Sequence, residues 1–410
     1  MVPLIMLAVM AGCAAFLFFK GTLVQGITMI LNTILAGFVA FGFFEMLARL
    51  LIKYSPGVAI WAPLICFALL FILAFAVLQT AALQIIKEKT DLGKLPEQIG
   101  RPACGLVLGY LLTGHALVAA AMAPLPSQYP YPRFDPHNPN PARPSKPVLS
   151  PDGFVTGLFA TISKGSFSAI QDPKSFAVLH AGYVDQLYLN RYKVSQKVPL
   201  MTTMTTINVP KKGVRPAPDS LRDTEGKSLS ISPGENLLLV RVELTARALR
   251  DAGTFTLSQF RLVCGLKGAG KAALAGQGQA VYPLGYIGDK SRLERKALDD
   301  IITAKSESTD AVNMDLAFSV PASLTPLLLE FKRNDVVQVS TPAAGEEPLE
   351  MVSFGMPAPP AQAAPGSPTP VPEQPAPGTT PPRSKSRKGR KGATAEERAQ
   401  SLTGSAPEQN

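Results

Sequence analysis

The sequence predicts a multi-domain chain: an α-helical transmembrane bundle, then an all-β sandwich, then a disordered tail. Three observations carry that expectation. Residues 2–19, 27–51, 58–86 and 103–123 are long apolar runs, each near or above the roughly 18–20 residues that cross a bilayer. From residue 200 the pattern shortens to alternating, Val- and Thr-rich segments, the period of half-buried strands. After residue 341 the chain turns Pro- and Ala-rich and then strongly basic, a composition that cannot bury a core.

Across all 410 residues, 46% are hydrophobic and only 17% charged, the balance of a half-membrane protein. In lipid the backbone must satisfy its own hydrogen bonds, so the four runs are read as helices forming a domain over residues 1–123. The first run lacks the basic n-region of a cleaved signal. Met10-Ala11-Gly12-Cys13 looks like a lipoprotein processing site, but apolar residues follow it where a mature lipoprotein is polar. Small residues inside a membrane helix are the preferred reading. Cys13, Cys66, Cys104 and Cys264 are too few and scattered for a disulfide framework.

Gly21 and Gly26 flank the first turn, which predicts a tight hairpin of the first two helices. Glu45 and Arg49 lie four apart, placing an ion pair on one helical face. Gln79 and His115 are further polar groups in spans, and ionisable groups there are functional candidates by default. A structural ion pair at Glu45 and a neutral histidine bonded to a neighbouring helix are the preferred readings. Residues 85–100 mix apolar and charged positions, as in a segment at headgroup level. Gly105 and Gly109 have the small-xxx-small spacing for close helix packing, and such faces also offer a route to homo-oligomers.

The order of a short first helix, the turn from Lys20-Gly21 to Gln25-Gly26, two long helices and Gly100-Arg101-Pro102-Ala103-Cys104-Gly105-Leu106-Val107-Leu108-Gly109 resembles the colicin V production (CvpA-type) family of bacterial inner-membrane proteins. The resemblance covers about residues 1–125 and implies the architecture and a link to toxin production or secretion; no functional residue is carried over. Lys20, Lys87, Lys89, Lys94 and Arg101 outweigh Arg49 and Lys53 near the spans, so the C-terminal part is expected outside. Some members of the family carry an extracytoplasmic protease after their helices, which agrees with that side.

Residues 124–151 form a Pro-rich linker, expected to run as extended polyproline and hold the next domain off the membrane. Residues 152–199 are weakly helical and juxtamembrane, with Phe154, Leu158, Phe159 and Ile162 on one apolar stripe read as a packing face against the adjoining domain. Within residues 200–340, strands are expected at 201–209, 236–246, 255–263, 312–320, 327–331 and 336–340. In the second of these, Val240, Val242 and Leu244 alternate with Leu239, Arg241, Glu243 and Thr245, predicting one buried face. Asn236-Leu-Leu-Leu-Val-Arg-Val-Glu, Phe260-Arg-Leu-Val, Met314-Asp-Leu-Ala-Phe-Ser-Val-Pro321 and Leu327-Leu-Leu-Glu-Phe331 together resemble a bacterial immunoglobulin-like β-sandwich family of unassigned activity. That resemblance implies a binding or structural module.

Catalytic signatures are weak. Gly265-Leu-Lys-Gly-Ala-Gly270-Lys271 follows a strand as a P-loop would, yet Ala272 stands where magnesium needs Ser or Thr. A glycine-rich hairpin loop is the better reading. The histidines are His115, His137 and His180, with no Gly-x-Ser-x-Gly elbow and no metal-ligand spacing of Cys and His. No catalytic, cofactor or metal residue is therefore assigned, and no enzyme is expected. The basic run from Arg383 to Lys391 carries no interleaved aromatics, which disfavours nucleic acid. The expected partners are membrane lipid and an envelope protein or the cell wall. A transporter or channel with a path past Glu45, Gln79 or His115 is the alternative. The localisation expected is a bacterial inner membrane.

Overall fold

Seven helices come before twelve strands along the described chain. The computed structural model describes residues 2–85, 93–164, 174–202, 205–245, 253–304, 311–340, 347 and 349–354. The tail was expected to be disordered from residue 341, but residues 349–354 pack on the sheet domain, with Val352 buried and its amide bonded to Asp315 at 3.0 Å. The basic run lies outside the described residues.

Four helices are long and apolar enough to span a membrane: α1 (Val2–Lys20), α2 (Leu23–Tyr54), α3 (Ala62–Ile85) and α4 (Lys94–Met122). Thr22 caps α2 in a capping box with Gln25, so the first turn is shorter than the glycine spacing implies. The expected hairpin of α1 with α2 does not form, because α1 lies along α4 instead. The reason is the glycine pair. A Cβ on Gly105 would stand 2.4 Å from Ala14 Cα, and one on Gly109 2.6 Å from Met10 Cα. The small-residue face is therefore covered by α1 of the same chain. Leucine at Gly105 should push α1 off α4 and cost about 1–3 kcal/mol of overpacking. Thermal melting in detergent checks this, with leucine at Gly12, which meets nothing within 4 Å, expected to change little.

α4 begins at Lys94, well before the apolar run, where a separate headgroup-level segment was expected; residues 86–92 are outside the described part. Glu97 explains the extension. Its carboxylate accepts from the Leu23 amide at 3.1 Å and from Arg101, placing negative charge at the start of α2, where the helix dipole favours it. Gly26 packs on Cys104 and Gly37 on His115, so α2 and α4 run parallel.

The chain after α4 does not behave as a spacer. Tyr131, Arg133 and Phe134 are buried. Arg133 donates to Asp185 at 2.5 Å and to the Tyr131 hydroxyl at 2.9 Å, Tyr131 donates to Asp152, and Arg191 reaches the Tyr129 carbonyl at 2.6 Å. Prolines alone favour an extended course, but these buried partners fold the segment back onto α5 (Pro151–Ile162) and α7 (Tyr183–Asn190). In α5 the buried apolar residues are Val155 and Phe159, one turn apart, and they pack on the membrane helices. Phe154 is half exposed and meets the Tyr110 ring of α4. The stripe expected to face an adjoining domain thus splits.

The strands are β1 (Ile207–Asn208), β2 (Val214–Pro216), β3 (Glu235–Leu244), β4 (Thr254–Thr256), β5 (Phe260–Leu266) and β6 (Gln279–Val281). β7 (Pro283–Ile287), β8 (Leu293–Arg295), β9 (Ile301–Thr303), β10 (Val312–Pro321), β11 (Leu324–Phe331) and β12 (Asp335–Gln338) follow. One sheet runs β1-β3-β10-β7-β8 with β2 also on β3, a second runs β12-β11-β5-β6, and β4 pairs β9. Every pairing is antiparallel. Val240, Val242, Leu316 and Phe318 of the first sheet meet Phe260, Leu262, Leu329 and Phe331 of the second in one core.

The outer face of β3 is buried as well, contrary to its alternation. Leu237 and Leu239 pack with Leu221, Ile287 and Leu293, and Arg241 is paired with Asp315. An opposite charge makes that burial tolerable, and a hydropathy pattern does not show it. The Gly-rich stretch after β5 leads into the antiparallel strand β6, with Lys271 and Ala272 inside a short 3-10 segment. It is a hairpin connection, as expected.

Candidate functional site

The polar groups singled out in the spans occupy three separate settings. Gln79 accepts from Asn32 Nδ2 at 3.0 Å, which ties α3 to α2. His115 is buried, with Nδ1 2.8 Å from its own helix's Leu111 carbonyl and its ring among Phe71, Phe41 and Phe159. A bond to a neighbouring helix was expected; instead Nε2 is pressed against Gly37, whose missing Cβ leaves the room. Glu45 keeps the expected Arg49 contact at 3.8 Å, but His180 Nε2 is nearer, 3.2 Å from Glu45 Oε1.

That histidine opens a cluster of buried charged and polar groups. It follows α6 (Phe176–Leu179), a short helix wedged between α5 and the second sheet. Arg261 of β5 donates to the Ala181 carbonyl at 2.5 Å and the Leu179 carbonyl at 2.9 Å, and pairs with Glu330 of β11. Register sets the pair, since Glu330 lies directly across from Arg261. Gln186 of α7 donates to the same Glu330 oxygen at 2.9 Å. Arg333, in the turn after β11, donates to the Met122 carbonyl at 3.4 Å, and Arg191 donates to the Ala123 carbonyl at 3.4 Å. Two guanidinium groups thus sit at the C-terminal end of α4, where the dipole favours cations.

Burial governs the charge balance. It pushes the Glu330 carboxyl above the usual range, and the Arg261 guanidinium pulls it back. The same burial draws Arg333 below its usual value, against the pull of Tyr183 and Glu45. Glu330 Oε1 and Gln186 Oε1 have no hydrogen-bond partner among the described residues. The arrangement joins Glu45 of α2, the C-terminal end of α4, α6, α7 and the second sheet in one cluster. Among the described residues no group of three or more His, Cys, Asp or Glu is placed to hold a metal ion.

No family model, curated protein or solved structure matches this chain. The likenesses to the CvpA-type and immunoglobulin-like families rest on the quoted residues alone, and colicin V production gains no support from comparison.

His180, Arg261, Glu330 and Arg333 were not singled out from the sequence. A faint signal existed for two of them. Arg261 and Glu330 are opposite charges inside otherwise apolar strands, which points to a buried cross-strand pair. Beyond the junction, an open groove of about 540 Å³ lies along β2 and β3, lined by Pro216, Asp219, Arg222, Glu235 and Leu238 among others.

Proposed function

We propose that this chain is a non-enzymatic integral membrane protein that mounts a β-sandwich binding module of immunoglobulin-like type on a four-helix anchor. The observation that carries the reading is the junction just described. Arg333 of the sheet domain bonds the end of α4, and Arg261 bonds the carbonyls on either side of His180, which itself reaches Glu45 of α2, so the module is fixed to its anchor instead of hanging from a tether. Fixing the module aims its outer surface, with the open groove along β2 and β3, at a partner in a set direction. A conduit reading has less to work with, because Glu45, Gln79 and His115 each have their own partner and occupy separate settings.

In this reading the module stands on the outer side of a bacterial inner membrane, as the lysines near the first turn and before α4 favour, facing an envelope protein or the cell wall. Protease treatment of intact spheroplasts tests it. The sheet domain should be digested while the spans stay protected; survival of the sheet domain until the membrane is lysed would overturn this side assignment. Alanine at Glu45 tests the mount itself. It removes the hydrogen-bond partner of buried His180 along with a mostly exposed pair to Arg49, so we expect about 0.5–1.5 kcal/mol of destabilisation, read as a fall in melting temperature with full membrane retention.

A further inference from the structure

We infer that residues 148–162 are a re-entrant membrane element whose outer face contacts acyl chains, an inference that rests on the membrane reading above. Depth is the first argument. Gly105 lies on Ala14 and Gly109 on Met10, so α1 and α4 are antiparallel and Tyr110 stands level with Val9. The 19 residues of α1 measure about 28 Å at 1.5 Å per residue, close to the roughly 30 Å hydrocarbon core. Val2 and Lys20 then mark its two faces. Val9 is about seven residues, or roughly 10 Å, inside the Val2 face. At that level the Tyr110 hydroxyl donates to the Leu149 carbonyl at 2.9 Å, and the Tyr110 ring lies 5.4 Å from that of Phe154. One turn nearer the face, Gly114 packs on the backbone of Pro151 and on Val155. The chain therefore leaves α4 at Met122, turns back to this depth and climbs out through α5.

Chemistry agrees with the depth. From Val148 to Ile162 the single charged residue is Asp152, and it is buried at 1% exposure, bonded to Tyr131 and the Gly153 amide. What faces outward is Val148, Leu149 and Phe154, with relative exposures of 57%, 66% and 51%. In water these would form a wasted apolar patch; beside the exposed residues of α1 and α4 they continue one lipid-facing belt. The hydroxyl groups of α5 and its cap are satisfied internally, as lipid demands. Thr156 donates to the Asp152 carbonyl, Thr161 to Gly157 and Ser163 to Ala160. The descending segment is poor in donors because Pro144, Pro147 and Pro151 have no N–H, and the amides of Ser145 and Ser150 donate to the carbonyls of Arg133 and Pro147. Lys146 is exposed, and its stem is long enough to carry the ammonium back to the headgroups.

The single tryptophan, Trp61, makes a direct test available. In a Trp61→Phe background, one tryptophan is placed at Phe154→Trp, at Leu35→Trp on the outer face of α2, or at Ile231→Trp on the sheet domain. Each full-length protein is reconstituted in vesicles whose lipids carry bromine on the acyl chains. Phe154→Trp should be quenched several-fold, as Leu35→Trp is, with blue-shifted emission, while Ile231→Trp keeps its intensity. Val148→Trp reads the same face should Phe154→Trp not fold. Quenching of Leu35→Trp without quenching of either re-entrant probe would overturn the inference and leave the anchor intact. Loss of quenching at Leu35→Trp too would overturn the membrane reading beneath it.

Discussion

Alanine at Asp315 is expected to cost the sheet domain about 3–5 kcal/mol, the range for removing one partner of a buried ion pair. Asp315 sits on β10 at 1% exposure. It accepts from Arg215 at 2.8 Å, from both Nε and NH2 of Arg241, and from the Val352 amide at 3.0 Å. Removing it leaves two guanidinium groups against the sheet with no countercharge, and it frees the segment around Val352 that covers them. Domains hold only about 5–15 kcal/mol in total, so much of the stability should disappear. Denaturant unfolding followed by far-ultraviolet dichroism checks this. A control at Glu225, whose pair with Lys227 is mostly exposed, should move the midpoint little, since screened surface pairs contribute almost nothing. Replacing Arg215, Arg241 and Asp315 together by Met, Met and Leu should recover most of the loss, because the cost lies in the orphaned charge.

The same contrast explains which parts of the fold could be read beforehand. Long apolar runs announce lipid, and α1 and α3 end close to where hydropathy places them. α2 and α4 run further, because Thr22, Glu97 and Arg101 cap and join them through polar contacts that a hydropathy window scores as loop. Among the strands, β3, β10 and β11 are legible from their Val- and Leu-rich alternation. β7, with Pro283 and Gly285, and the three-residue β2, β6, β8 and β9 are not. Such segments are strands because a neighbour pairs with them, and their own residues state no preference. The proline-rich stretch misleads for a related reason. Its course is decided by Arg133 meeting Asp185, a partner far along the chain. The junction shares that difficulty: Glu45, His180, Arg261 and Glu330 come from four distant stretches, and only the first was visible as an ionisable group in a span.

Removing Arg261 should have the second large effect, and where it appears distinguishes a mount from a mere core pair. Arginine there does two jobs, neutralising buried Glu330 and tying the carbonyls of Leu179 and Ala181 to the sheet. Arg261→Ala therefore strands a buried carboxylate, at a cost of about 3–5 kcal/mol, and unpins residues 176–190 from β5. Hydrogen exchange should rise both in β5 and β11 and in α6 and α7, whereas Asp315→Ala should raise it in β3 and β10 and leave α6 and α7 protected. Arg261→Lys should recover little, because one ammonium cannot reach Glu330 and two carbonyls at once as the guanidinium fork does. Unchanged exchange across residues 176–190 in Arg261→Ala would mean that apolar packing of Val178 and Ala181 on Val263 and Leu328 holds the module to its anchor without the charges. The fixed orientation proposed here would then have to come from shape alone.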